Sequence, residues 1–362
     1  MSLPAAGRTR TAIIAAAVLS LIYLAVTLAV PTAATGVRSE MIEAARLMAA
    51  AESAIKSCRE GRNLAIDPAA DPNVTGLIGV ERSEITTSAG RLEAKRTTTN
   101  PAFAGLVVSL LHEAGVRRGD AVAVGASSSF PALVVATLAA AKTVGADALV
   151  ISSLGASEWG ANIPSFNWLD MEDCLDASGL VEARPIARAI GGDEDVGRDM
   201  SPEGRALVEA RIRAAGAPVL EEPDLERNVG ARLALYRARA GGRPIKAFVN
   251  IGGSWANMGT DPDILKLDPG LARVVIVPPP TRRGVIQAMA AAGVPVIHLL
   301  NVRGLCERYG LPWDPRPLPK PGEGPLPGRL AGSSRTPVPV TAVYIVLVAA
   351  LLAAARRRFP AS

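Results

Sequence analysis

Residues 121–153, AVAVGASSSFPALVVATLAAAKTVGADALVISS, decide the fold. Residues 121–124 form a short apolar strand, 131–144 an apolar run of helical length, and 148–152 a second apolar strand. Strands without a polar face have no side to give to water. Two of them joined by a helix therefore read as a parallel pair covered on both faces. The alternation extends outward in both directions. A helix over 103–114 precedes the unit, with Gly115, Gly119 and Asp120 making the turn. Downstream come helices over 202–215, 225–240 and 284–292, and strand-like runs at 218–220, 246–251, 272–277 and 294–299. The predicted fold class is α/β, a mainly parallel sheet flanked by helices, Rossmann-like and doubly wound. No fixed-period repeat is present.

Outside this core the composition changes. Residues 39–59 place Met41, Ala45, Met48, Ala51 and Ile55 on one helical face, which suits a juxtamembrane helix. Residues 63–100 are polar and read as loops with short strands, and 312–339 are dense in Pro and Gly, an extended tether.

The two ends carry the charge imbalance. Lys and Arg number 39 against 34 Asp and Glu, and the excess of five matches Arg8, Arg10, Arg356, Arg357 and Arg358. These arginines flank two uncharged apolar segments, 11–30 and 338–355, on their terminal sides. Arginine beside an apolar span favours the cytoplasmic face. The expectation is one transmembrane helix at each end, both termini cytoplasmic, and the bulk of the chain outside the plasma membrane. A cleaved signal peptide is the competing reading of the first segment, since Ala33 and Ala34 follow it. The resulting organisation is a cytoplasmic 1–10, a span at 11–30, a juxtamembrane helix and polar loops at 31–100, an extracytoplasmic α/β domain at 101–311, a tether at 312–337, a span at 338–355 and a cytoplasmic 356–362. With the interior formally neutral, the basic balance gives no support to nucleic-acid binding.

Cys58, Cys174 and Cys306 are widely spaced. Outside the cytoplasm one pair can be oxidised, leaving an odd thiol; small buried residues are the simpler reading. No CxxC spacing occurs, so no metal site and no cofactor are expected.

In open parallel sheets, ligands sit beyond the carboxyl ends of the strands. Four loops occupy that position. The first, 125–131, offers the hydroxyls of Ser127, Ser128 and Ser129 before a helix. They suit an anion, a nucleophile or plain capping, although neither the G-x-S-x-G elbow nor a P-loop ending is present. The second, 152–172, carries Ser153, Ser157, Glu158, Trp159, Asn162, Asp170 and Glu172, a mixture that suits a polar organic or glycan-like ligand. Glu158 and Asp170 make a carboxylate pair only if the chain brings them together; Asp170 and Glu172 otherwise start the next helix. The third, 250–259, has Asn250, Gly252 and Gly253, whose amides suit an oxyanion or merely a tight turn. The fourth is His298 to Asn301, with His298 either catalytic or structural; His112 reads as a surface or packing residue. A separate stretch holds Lys95 and Arg96 among hydroxyls, a carboxylate clamp or an ordinary solvated charge pair without the S-x-x-K spacing of serine–lysine hydrolases.

Taken in order, the runs GLIG, S-x-ITT, G-x-LEAKRT, NPAFA, GD-x-VAVG-x-S-x-SFPAL, ISS-x-G-x-S-x-WGAN-x-P, FVN-x-GG, GVPVIHLLN and YGLP-x-DP-x-PLP resemble the poly-gamma-glutamate system protein family, from Gly76 to Pro319. The resemblance implies a bacterial cell-surface protein of capsule biosynthesis, working beside other subunits of a poly-gamma-glutamate synthesis and export complex. It supplies no catalytic residues. Two functions follow: a membrane-anchored accessory protein for synthesis, export or surface retention of the anionic polymer, or an extracytoplasmic hydrolase or transferase of gamma-glutamyl bonds. A purely structural scaffold is the third. With no net charge to attract a polyanion, binding needs a local basic patch, for which Lys95, Arg96, Lys246, Arg282 and Arg283 are candidates.

Overall fold

The 121–153 unit sits at the centre of a seven-stranded sheet. In chain order the strands are β1 (Ala121–Ser127), β2 (Asp147–Ser153), β3 (Asn162–Ile163), β4 (Phe166–Asn167), β5 (Ala187–Ala189), β6 (Val219–Leu220), β7 (Ile245–Ile251), β8 (Gly270–Ala272) and β9 (Val296–Leu299). The α-helices that follow 1–32 are α1 (Ala33–Gly61), α2 (Leu92–Thr98), α3 (Ala102–Glu113), α4 (Pro131–Val144), α5 (Trp168–Ser178), α6 (Pro202–Ala214), α7 (Leu225–Ala240), α8 (Trp255–Met258), α9 (Val285–Ala291) and α10 (Val302–Tyr309). This computed structural model describes residues 14–25, 33–323, 326–328 and 343–350.

The sheet order is β6-β5-β2-β1-β7-β9-β8, and every pairing is parallel except β8 with β9. Strands β3 and β4 form a separate antiparallel pair. All seven residues of β1 are buried, as a strand covered on both faces requires. Helix α4 starts on Pro131 at its first turn and ends at Gly145 in the left-handed region (φ 76). From β1 the chain builds β2, β5 and β6 to one side, then returns past β1 to lay down β7 and β9 on the other. The order therefore reverses between β1 and β7. That reversal leaves a crevice at their carboxyl ends, where doubly wound sheets bind ligands.

Two strand expectations shift. The run at 272–277 pairs only at β8; Val275, Ile276 and Val277 are exposed, because β9 begins at Val296, opposite Ala272, and the chain before it comes off α9, which leaves them no partner strand. Strand β5 was not anticipated, since Arg188 interrupts its apolar run. Arg188 is buried because Glu172, on α5, meets it at 2.7 Å.

A disulfide joins Cys58 on α1 to Cys174 on α5, and Cys306 is a buried free thiol. Of the described residues, 39–323 and 326–328 belong to one compact unit, and 14–25, 33–38 and 343–350 to another. In the second, the Tyr23 and Tyr344 rings stack with centroids 4.3 Å apart.

The expected transmembrane helix at each end is corrected. No helix among the described residues is long and apolar enough to cross a membrane. The helical residues described within these segments are 14–25 and 343–350. The remainder of both segments, and the flanking arginines, lie outside the described residues.

Candidate functional site

The carboxyl ends of β1, β2, β7 and β9 open into one cleft of about 610 Å³. That volume suits a small or extended polar ligand. Ser127 and Ser129 enter it from the first loop, Ser153 and Ser157 from the second, Gly253 and Ser254 from the third, and Asn301 from the fourth. Close backbone packing makes this possible. At Gly160 an added Cβ would lie 2.9 Å from the Ser129 Cα, so only glycine lets the β2 loop fold onto the β1 loop. At Gly252 (φ +78) it would lie 2.9 Å from the Ser127 Cβ.

Lys95 enters the cleft from α2. Its ammonium donates to the Ser129 carbonyl at 2.5 Å and to the Ser157 hydroxyl at 2.7 Å, and lies 3.7 Å from the centre of the Phe130 ring. The side chain is buried and has no carboxylate partner among the described residues, and burial lowers its pKa to about 7. Around it the hydroxyls form a fixed network. Ser127 donates to Ser129 Oγ at 3.0 Å, and the Ser157 amide donates to the same oxygen at 3.0 Å. Ser129 thus holds the backbone of Ser157 while Lys95 holds its hydroxyl.

Lys95 and Arg96 are not a solvated pair, contrary to that reading. Neighbours on a helix diverge by about 100°. Lys95 points into the cleft, whereas Arg96 turns away into a two-pronged ion pair with Asp314 at 2.8 and 2.7 Å. Asp314 also accepts from Arg316 at 2.9 Å, and its amide donates to Thr97 Oγ1 at 2.9 Å. This anchors Trp313 in the cleft wall.

Other sequence candidates hold structure around the cleft. The Ser128 hydroxyl is buried and donates to the Ser153 carbonyl. Glu158 accepts from Arg82 at 2.9 Å and from the Gly90 amide at 3.0 Å; these bonds, the Gly90 amide foremost, lower its pKa. Asp170 closes the capping box of α5 with Asn167 and pairs with Arg62 and Arg211. Glu158 and Asp170 are thus committed to different partners and make no acid–base pair. Asn162 is buried and ties down Val80 and Thr86. Trp159 has its amide on the Val80 carbonyl at 2.8 Å and lies outside the cleft lining.

His298 and Asn250 sit beneath the third loop. The Asn250 amide nitrogen donates to the Gly252 carbonyl at 2.8 Å and contacts His298 Nδ1 at 3.1 Å. Burial lowers the His298 pKa to about 4, so the imidazole is neutral and Nδ1 accepts. The pair fixes the glycine loop and does not reach the cleft lining. The Gly252 amide is used on the Leu299 carbonyl at 3.0 Å, while the Gly253 and Ser254 amides have no hydrogen-bond partner among the described residues.

Several cleft residues carry no mark in the sequence. Arg91 and Arg303 are exposed at its edge, Arg303 stacking 4.2 Å over Trp313. Trp255 and Trp313, not Trp159 and Trp168, are its tryptophans. Asp193 and Asp199, beyond β5, complete it. Trp255 lies two residues beyond the Gly252-Gly253 turn, inside the 250–259 loop that the strand ends single out. No group of three or more His, Cys, Asp or Glu among the described residues is placed to hold a metal ion. Comparisons with protein families, curated proteins and solved structures find no match for the chain.

Proposed function

We propose that the chain is an extracytoplasmic amide hydrolase or transferase of the poly-gamma-glutamate system, with Ser157 as nucleophile and Lys95 as its base. One observation carries this reading. A buried lysine with no counter-ion among the described residues, its pKa lowered to about 7, meets a serine hydroxyl at 2.7 Å inside the cleft. A lysine activated by burial next to a serine is the arrangement that serine nucleophiles need when no histidine is present.

Neutral Lys95 keeps two N–H donors and gains a lone pair. It donates to the Ser129 carbonyl and accepts the Ser157 proton as Oγ attacks the carbonyl carbon of the amide. The Gly253 and Ser254 amides, which have no hydrogen-bond partner among the described residues and line the same cleft, are the donors offered to the tetrahedral oxyanion. As the C–N bond breaks, the Lys95 ammonium returns that proton to the leaving nitrogen. Water, deprotonated by Lys95, then cleaves the Ser157 ester, releasing a carboxylic acid and restoring the hydroxyl. An amine in place of water gives transfer.

The polymer assignment rests on the ordered motifs between Gly76 and Pro319. The Cys58–Cys174 disulfide supports an oxidising compartment. The test is incubation of the purified chain with poly-gamma-glutamate, followed by chain-length analysis and by mass spectrometry after a serine-directed phosphonate. Shortening abolished by Ser157→Ala, with the phosphonate on Ser157, is expected. Unaltered polymer and an unlabelled serine overturn the reading. The accessory role is favoured by Arg91 and Arg303 at the cleft edge, which have no anion partner among the described residues; tight binding without shortening is its signature.

A further inference from the structure

The cleft holds charges of both signs that do not neutralise one another. Asp193 and Asp199 are exposed and have no cation partner among the described residues; Arg91 and Arg303 have no anion partner. The positions of Asp193, Asp199 and Arg303 follow from the sheet order, while Arg91 caps α2, four residues before Lys95. The segment bearing Asp193 and Asp199 leaves β5, whereas Arg303 follows β9. With β2, β1 and β7 between them, those strands are four spacings apart, roughly 19 Å. The Lys95–Ser157 pair lies between, where the loops of β1 and β2 meet. The acidic end is rigidly held. Asp195 is buried against Arg232 at 2.5 Å and Asn228 at 3.0 Å, and the Asp199 carboxylate accepts from the Asp193 amide at 3.0 Å. At the other end, the stack on Trp313 orients the Arg303 guanidinium.

We propose that the cleft recognises the amino-terminal end of its substrate chain, taking the terminal ammonium at Asp193 and Asp199 and side-group carboxylates at Arg91 and Arg303. The substrate class is an oligomer with one free amine at its end and carboxylates along its length. An interior segment, with carboxylates alone, would meet the two aspartates as like charges, which disfavours internal entry. The site therefore works inward from the amino terminus. This inference rests on the gamma-glutamyl reading above for its choice of probe.

The experiment compares binding and cleavage of a gamma-linked glutamate hexamer with that of its N-acetylated form, on the full chain. At least tenfold tighter binding of the free-amine hexamer is expected. Asp193→Asn with Asp199→Asn should erase that preference while leaving the acetylated probe bound as before; asparagine keeps the acceptor for the Asp193 amide. Arg303→Ala should weaken both probes by about tenfold. Equal binding of the two hexamers, or binding of neither, overturns end recognition. Cleavage of both at equal rates does so too, while sparing the hydrolase reading. A free-amine preference without cleavage of either probe supports end recognition and removes the hydrolase reading.

Discussion

Lys95 Nζ lies 2.7 Å from Ser157 Oγ across 62 residues of sequence, in a cleft whose carboxylates, Asp193 and Asp199, form no ion pair with the lysine among the described residues. Proximity and burial act together here. Burial favours the neutral amine, and the hydroxyl is the group that amine can deprotonate.

Activity should therefore rise with pH as Lys95 loses its proton. With a pKa of about 7, kcat/KM of the proposed hydrolysis of poly-gamma-glutamate should increase about tenfold from pH 6 to pH 8 and then level. Lys95→Met should lower it by about 10²- to 10⁴-fold and abolish the inflection. The same change should raise stability at neutral pH. Between pH 7 and 10.5 the unfolded chain holds the Lys95 proton and the folded chain does not, so wild-type stability climbs through that window. Denaturant midpoints of the methionine variant that keep the wild-type climb would contradict this.

His298 predicts an acid limb. Its pKa is about 4 in the fold and 6.5 in the unfolded chain, so the unfolded state binds the proton first as pH falls. Its contribution to stability is intact above pH 6.5 and is lost progressively down to pH 4, on the order of 2–3 kcal/mol. His298→Gln should flatten that portion of a urea-midpoint profile measured from pH 7.5 to 4.

The Cys58–Cys174 bridge closes a loop of 116 residues. In the chain-entropy account a loop of this length is worth about 4–5 kcal/mol. Cys58→Ser with Cys174→Ser should lower the thermal midpoint, as should reductant on the wild type. Added reductant should leave the double variant unmoved, because Cys306 is a free thiol.

Arg96 and Asp314 form a pair whose side chains are 7% and 14% exposed. Asp314→Ala leaves the guanidinium buried and alone, which costs about 3–5 kcal/mol. Arg96→Met with Asp314→Met should lose less, since neither charge remains. In both variants Trp313 is released from its anchor, so KM for the polymer should rise while kcat is held. An unchanged KM would show that Trp313 stays in place without the pair.

Much of the fold was legible. Strands β1, β2 and β7 and helices α4 and α7 stand out because continuous apolar runs and helical spacing are local properties. Strand β5 was hidden because Arg188 breaks the pattern, and its burial depends on Glu172, 16 residues upstream. The edge at 272–277 misled in the opposite direction: apolar residues there find no second neighbour. The terminal spans were read from hydropathy alone, and no helix among the described residues is long and apolar enough to cross a membrane.

For the site, the sequence by itself determined which loops matter. A parallel sheet aims its strand ends at one edge, so serine- and glycine-rich turns at strand ends must share that edge. It also supplied every chemical group, Lys95 and Ser157 included. Only the tertiary structure decided their pairing. Whether a lysine is solvated or buried, and which of Ser127, Ser128, Ser129 and Ser157 it meets, depends on the α2 helix packing across the β1 and β2 loops. That contact spans a gap in sequence that no local spacing encodes, and the lysine's chemistry changes only once water is removed.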